Sequence, residues 1–156
     1  EELDFSLSIT CSPELIRDTK AIWEMERTDE TQFRYACSLS RSTTQTHHFE
    51  AIEIFEQLIR DDSSFRRGCL FNAAQTYYSL GKFDRARTFC EELYREEPDN
   101  NQVKQMHLAI TFKHNAEKER QDKHNQDVNN NIAWGVGLTV VALGVGLLFS
   151  AGGRKG

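Results

Sequence analysis

Proline is almost missing from this chain: Pro13 and Pro98 are the only two in 156 residues. Long alternation of apolar and polar side chains is also missing after residue 11, so strands have little support and helices face few breaks. The four cysteines, Cys11, Cys37, Cys69 and Cys90, stand far apart without a C-x-x-C pair. They read as reduced, partly buried thiols of a reducing compartment. No phosphate loop, G-x-S-x-G or H-E-x-x-H occurs, so no enzyme and no cofactor is expected. Basic stripes are absent too, and with a formal net charge of −5 no nucleic-acid partner is expected. His47 and His48 would point about 100° apart on a helix, with no further ligand spaced to complete a metal site. Asp61-Asp62, with Arg66-Arg67 nearby, reads as solvated charge at helix ends.

What is present is concentrated at the two ends. Residues 132–151 carry no charge, from Ile132 through Trp134 and Gly144 to Ala151. A helix of that length rises about 30 Å, the thickness of a bilayer's hydrocarbon core. It satisfies its own backbone, as lipid requires. Five residues follow Ala151, so the segment is expected to be a tail anchor inserted after translation, leaving the preceding domain in the cytosol. Its four glycines and the basic Arg154 and Lys155 favour the mitochondrial outer membrane or the peroxisome over the endoplasmic reticulum. Ala142, Gly146 and Ser150 form a small-residue ladder through which two anchors could pair, making a homo-oligomer a weaker expectation. At the other end, Leu3, Phe5, Leu7 and Ile9 alternate at a strand period, while Glu1, Glu2 and Asp4 put acid where a signal peptide needs base.

Between the ends the pattern is helical. Ser12 and Pro13 open a first helix to about Arg27, with Leu15, Ile16, Ile22, Trp23 and Met25 as its apolar side. Further helices are expected from near Asp29, over about 46–60, from after Ser64 to Gly81, over 83–96, and after Pro98. FEAIEIFEQLIRDD and FDRARTFCEELYREE resemble each other, and Ala51 and Leu58 recur 35 residues on as Ala86 and Leu93. A mid-thirties period of helix pairs is the tetratricopeptide pattern. Counted back from Pro98, Leu70 takes the tryptophan position, Ala74 the small position, Tyr77 the helix-A tyrosine and Ala86 the helix-B alanine. Cys90 and Leu93 depart from the pattern. Ala36 and Ala51 are the small residues of a more degenerate first repeat. The expected fold is all-α: a six-helix bundle with two tetratricopeptide-like pairs, plus a single C-terminal transmembrane helix. The expected layout is an arm (1–11), a cytosolic bundle (12–120), a polar linker (121–131), the anchor (132–151) and a short basic tail (152–156).

TQFRYACSLSRS (31–42), EEPDNNQVK (96–104) and the glycine-rich anchor with its Arg-Lys end give the chain its likeness. On them it resembles the mitochondrial fission 1 protein family of tail-anchored adaptors. The resemblance implies no catalysis. It implies recruitment of a dynamin-related GTPase, directly or through soluble adaptors, to the mitochondrial and peroxisomal membranes. It also makes the face lined by the two A helices the candidate groove. Phe33, Cys37 and Arg41 are expected there from the first repeat, and Phe71, Gln75 and Tyr78 from the second. Phe33 and Phe71 suit the bundle core equally well. The arm (Leu3, Phe5, Leu7, Ile9) either covers this groove, as arms in the family can, or is a plain terminus. A tail-anchored co-chaperone or import receptor is the alternative. Against it, Gln75, Thr76 and Ser79 stand where a carboxylate clamp needs cations.

Overall fold

The computed structural model describes residues 10–150, with side chains through residue 130 and that of Ile132. The arm residues Leu3, Phe5, Leu7 and Ile9, together with Ala151, Arg154 and Lys155, lie outside the described residues. Of the expected anchor, the backbone is described through Ser150 but no side chain beyond Ile132, so that of Trp134 also lies outside. Among the described residues no helix is long and apolar enough to cross a membrane.

Among the described residues six helices follow one another: α1 (Pro13–Glu26), α2 (Asp29–Ser40), α3 (Gln45–Arg60), α4 (Arg66–Ser79), α5 (Phe83–Glu96) and α6 (Asn101–Ser150). Residues 121–131, expected as a linker, are helical and belong to α6. Nothing in that stretch breaks a helix, since it holds neither proline nor glycine. The chain divides into two units, one ending at His114 and the other beginning at Asn115. Among the described residues the second unit is the remainder of α6, and its side chains over residues 118–130 are exposed.

Local chemistry sets the boundaries in the first unit. The Ser12 hydroxyl accepts from the Leu15 N–H, and Pro13 fills the first helical position of α1. Thr28 and Thr31 cap α2 reciprocally, each side chain accepting from the other's backbone N–H. Asn100 Oδ1 accepts from the N–H groups of Gln102 and Val103 and so opens α6. α4 is closed off by Gly81, two residues past its end, which takes φ 69°. There the Lys82 N–H donates to the Tyr77 carbonyl and the Gly81 N–H to the Tyr78 carbonyl, a Schellman arrangement that suits glycine.

Packing runs in sequence order, α1 on α2, α2 on α3, α3 on α4 and α4 on α5, with α2 also touching α4. Ala36, Ala51, Ala73, Ala74 and Ala86 are fully buried where these helices meet. Phe55, Leu58, Leu70, Leu93, Val103, Met106 and Ile110 fill the space between them. Each large side chain so buried contributes about 1.5–3 kcal/mol. Pro98, expected among the packing residues, is exposed; it follows the end of α5 without entering the core. The apolar side expected for α1 is also corrected. Ile16 is buried and Trp23 stacks on Tyr35 at 5.5 Å, but Leu15, Ile22 and Met25 face outward.

Ion pairs join the second repeat's two helices. Arg66 binds Glu92 and Glu96, and Arg67 binds Glu97. The basic pair expected as solvated charge therefore links α4 to α5. The histidine pair fastens the loop between α2 and α3: His47 Nδ1 lies 2.7 Å from the Ser42 hydroxyl, and His48 Nε2 lies 2.7 Å from the Ser42 carbonyl. Among the described residues no cluster could hold a metal ion.

Candidate partner-binding groove

The A helices of the two pairs are α2 and α4, and they lie against one another. Each buries the stripe that meets its own B helix and leaves a second stripe open. On α2 the open stripe carries the exposed Glu30 and Arg34 with Cys37 half-buried beside them, and the exposed Arg41 follows directly after the helix. Steps of three, four and seven residues keep these positions on one face. On α4, Phe71, Gln75 and Tyr78 are half-buried and share a face by the same spacing.

Phe33 has a different place. Its ring stacks on Phe65 at 5.2 Å, leans on Phe55 at 6.1 Å and lies over Gly68. It therefore closes the seam between α2 and α4, as part of the floor. Gly68 lets the helices come this close, because a Cβ there would stand 2.8 Å from the Phe33 ring tip. Tyr78 meets Phe83 edge-on at 5.5 Å, which fixes the ring at the far end of the open face.

Burial pushes the Cys37 thiol up to about 11, opposed by the nearby Arg41 charge. Burial likewise pushes Cys69 to about 12, with Cys37 and Asp29 adding to the shift, and Cys90 to about 12. These three thiols are protonated near neutral pH and are poor nucleophiles. Arg41 marks the end of the face nearest the arm: its carbonyl accepts from the Cys11 N–H at 2.8 Å. The arm's root is thus tied to the C-terminus of α2.

Sequence reasoning missed three surface features. Arg34 and Glu30 form an exposed pair at 3.7 Å on the open stripe, a spacing of four residues that was readable in the sequence. On α6, Leu108 and Phe112 are 64% and 67% exposed and also lie one turn apart. Near the arm's root a cavity of about 720 Å³ is lined by residues including Arg17, Lys20, Tyr35, His47 and Glu50. It gathers residues from α1, α2 and α3, so no local pattern announces it.

Helix pairs packed in sequence order through buried alanines define a tetratricopeptide-type repeat domain. Residues 67–118 match the sequence model of the Fis1 C-terminal tetratricopeptide repeat. The mitochondrial fission 1 protein of Debaryomyces hansenii is 31% identical over 151 residues, spanning 95% of this chain and 88% of that protein. That of Mycosarcoma maydis is 29% identical over 104 residues, spanning 64% of this chain and 68% of its own length. The crystal structure of fission protein Fis1 from Saccharomyces cerevisiae shares the fold, with TM-score 0.68 and 22% identity over 72% of this chain and 90% of that one. Yeast Fis1 in complex with an Mdv1 fragment gives TM-score 0.66 and 23% identity over 70% and 89%. The chain belongs to the mitochondrial fission 1 protein family.

Proposed function

We propose that the protein is a tail-anchored adaptor of the mitochondrial outer membrane, with the peroxisomal membrane as a second address. Its open A-helix face holds a soluble adaptor or a dynamin-related GTPase at the site of organelle division. The observation that carries this reading is the burial pattern of the two A helices: Glu30, Arg34 and Arg41 are exposed along one, and Phe71, Gln75 and Tyr78 lie half-buried on one stripe of the other. A partner helix or extended segment suits such a face, its apolar side chains against the rings and its polar groups at the edge. The relative solved with an Mdv1 fragment supports a soluble adaptor as the occupant. The uncharged run 132–151 supports the anchor, with 1–11, 12–120, 121–131 and 152–156 as the other segments. Leu3, Phe5, Leu7 and Ile9 compete for the same face, since the arm starts at its Arg41 end.

The test is recovery of fission-machinery proteins from extract by the full chain held in liposomes. Tyr78→Ala should cut recovery about tenfold or more, as an aromatic contact at an interface does, without lowering helix content. Recovery unaffected by Tyr78→Ala and by Arg41→Glu would reject the groove. Replacing Gly144 and Val145 with aspartate should leave the protein in the cytosol; retention on mitochondria would reject the anchor.

A further inference from the structure

The cavity of about 720 Å³ at the arm's root sets cations on one wall and hydroxyls on another. Residues 10–12 close one side, tied down where the Cys11 N–H donates to the Arg41 carbonyl at 2.8 Å. α1 brings Arg17 and Lys20, three residues apart and so on one helix face. Both are exposed, and among the described residues neither has a carboxylate within ion-pair distance. The acids in the lining are already engaged. The Glu14 carboxylate is held by its own backbone N–H and by the Ser12 hydroxyl. Glu50 Oε1 accepts from the Tyr35 hydroxyl at 2.7 Å, which leaves Oε2 to accept from a ligand. On the loop side, the buried Ser42 hydroxyl accepts from the Thr44 N–H at 3.1 Å and lies 2.7 Å from His47 Nδ1. With that hydroxyl assigned as the donor to Nδ1, the imidazole proton sits on Nε2, which becomes a donor. Thr44 precedes α3 without capping it, so its hydroxyl is not spent on the helix.

We propose that this cavity binds a phosphorylated polyol of the inositol phosphate class, either free or as the headgroup of a lipid. Its phosphates meet Arg17, Lys20 and the His47 Nε2–H, as charge-assisted hydrogen bonds. Its ring hydroxyls donate to Glu50 Oε2 and exchange hydrogen bonds with Thr43 and Thr44. The need for both kinds of group follows from the lining. A bare phosphate fills little of a cavity whose volume is that of a small-molecule site, and it offers nothing to the Glu50 carboxylate. An uncharged polyol leaves two cations unanswered. A nucleotide is a poor occupant, because Tyr35 is buried with its ring stacked on Trp23 at 5.5 Å and gives a base no open face. The site shares no residue with the Phe71–Tyr78 face, so it stands whether or not that face binds an adaptor.

The test is titration calorimetry on the full chain in uncharged detergent micelles, with inositol 1,4,5-trisphosphate as the soluble probe. Dioctanoyl phosphatidylinositol 4,5-bisphosphate, added to the same micelles, is the lipid probe. Inorganic phosphate and myo-inositol are the controls. Saturable binding tighter than about 1 mM is expected for at least one of the two probes, with both controls about tenfold weaker or more. Binding of the soluble probe assigns a free polyol phosphate; binding of the lipid probe alone assigns a headgroup. Arg17→Gln and Lys20→Gln should each weaken it about tenfold, as loss of a charge-assisted bond does. Both side chains are exposed, so circular dichroism should not change. Lys123→Gln, an equal loss of charge on the exposed part of α6, should leave the affinity as it was. Binding that falls equally in all three variants would overturn the proposal in favour of a diffuse charge effect. Inorganic phosphate as tight as the trisphosphate would overturn the polyol, and no saturation by either probe would overturn the site.

Discussion

Replacing Gly68 with alanine sets two effects of opposite sign against each other. In a helix, alanine is favoured over glycine by about 0.5–1 kcal/mol, because glycine loses more backbone freedom on folding. At this position, however, the new Cβ would meet Phe33 Cζ at 2.8 Å and Cε2 at 3.2 Å. The ring cannot simply swing aside, since Phe65 stacks on one side of it and Phe55 abuts it. Overpacking of this kind costs about 1–3 kcal/mol. The steric effect therefore wins, with a net destabilisation of about 1 kcal/mol, the difference between those two figures. Urea unfolding followed by circular dichroism reads it as a lowered midpoint at unchanged slope. The decisive comparison is made in a Phe33→Leu background, where the ring is gone and the same Gly68→Ala change should become stabilising. That sign reversal is a property of the contact itself. If Gly68→Ala raises the midpoint in the unaltered background, Phe33 is not held over Gly68, and its assignment to the floor of the groove fails.

Leu93 occupies a repeat position where alanine is usual, yet it is fully buried. Leu93→Ala should cost about 3 kcal/mol rather than improve the repeat, measured by the same unfolding assay. Arg67 holds the Glu97 carboxyl below its ordinary 4.5, with Asn100 adding a second hydrogen bond. Its folded value is depressed, so the stabilisation is complete above about pH 4.5 and is lost as pH falls through the folded value. Stability measured down a pH series should show this loss, and the Glu97→Gln chain should lack that part of it. Thiol labelling at pH 8, read by mass spectrometry, should proceed slowly at Cys37, Cys69 and Cys90, whose values burial pushes to about 11, 12 and 12. Urea should release all three; rapid native labelling at Cys69 would contradict its burial.

The features written locally in the sequence are the ones the structure repeats. Ser12-Pro13 begins α1 and Gly81 ends α4, because capping and left-handed geometry depend on a few adjacent residues. The 35-residue recurrence of Ala51 and Leu58 placed small and large residues where B helices cross A helices. All four, Ala51, Leu58, Ala86 and Leu93, are buried. Periodicity says which residues share a face; it does not say which of two faces meets the rest of the molecule. Leu15, Ile16, Ile22, Trp23 and Met25 therefore read as one apolar side, and only the packing of α1 on α2 separated the buried Ile16 from the exposed Met25. The same limit applied to Phe33, equally suited to core or groove by spacing, until Gly68 and Phe65 were found beneath its ring. Arg66 and Arg67 looked solvated because their partners, Glu92 and Glu96 on the next helix and Glu97 just past its end, lie 26 to 30 residues away in sequence. By itself the sequence determined the helices, their caps and the repeat, since those depend on neighbours along the chain. Tertiary structure alone decided which stripe of each helix remained open to a partner, because that depends on groups the chain brings together only by folding.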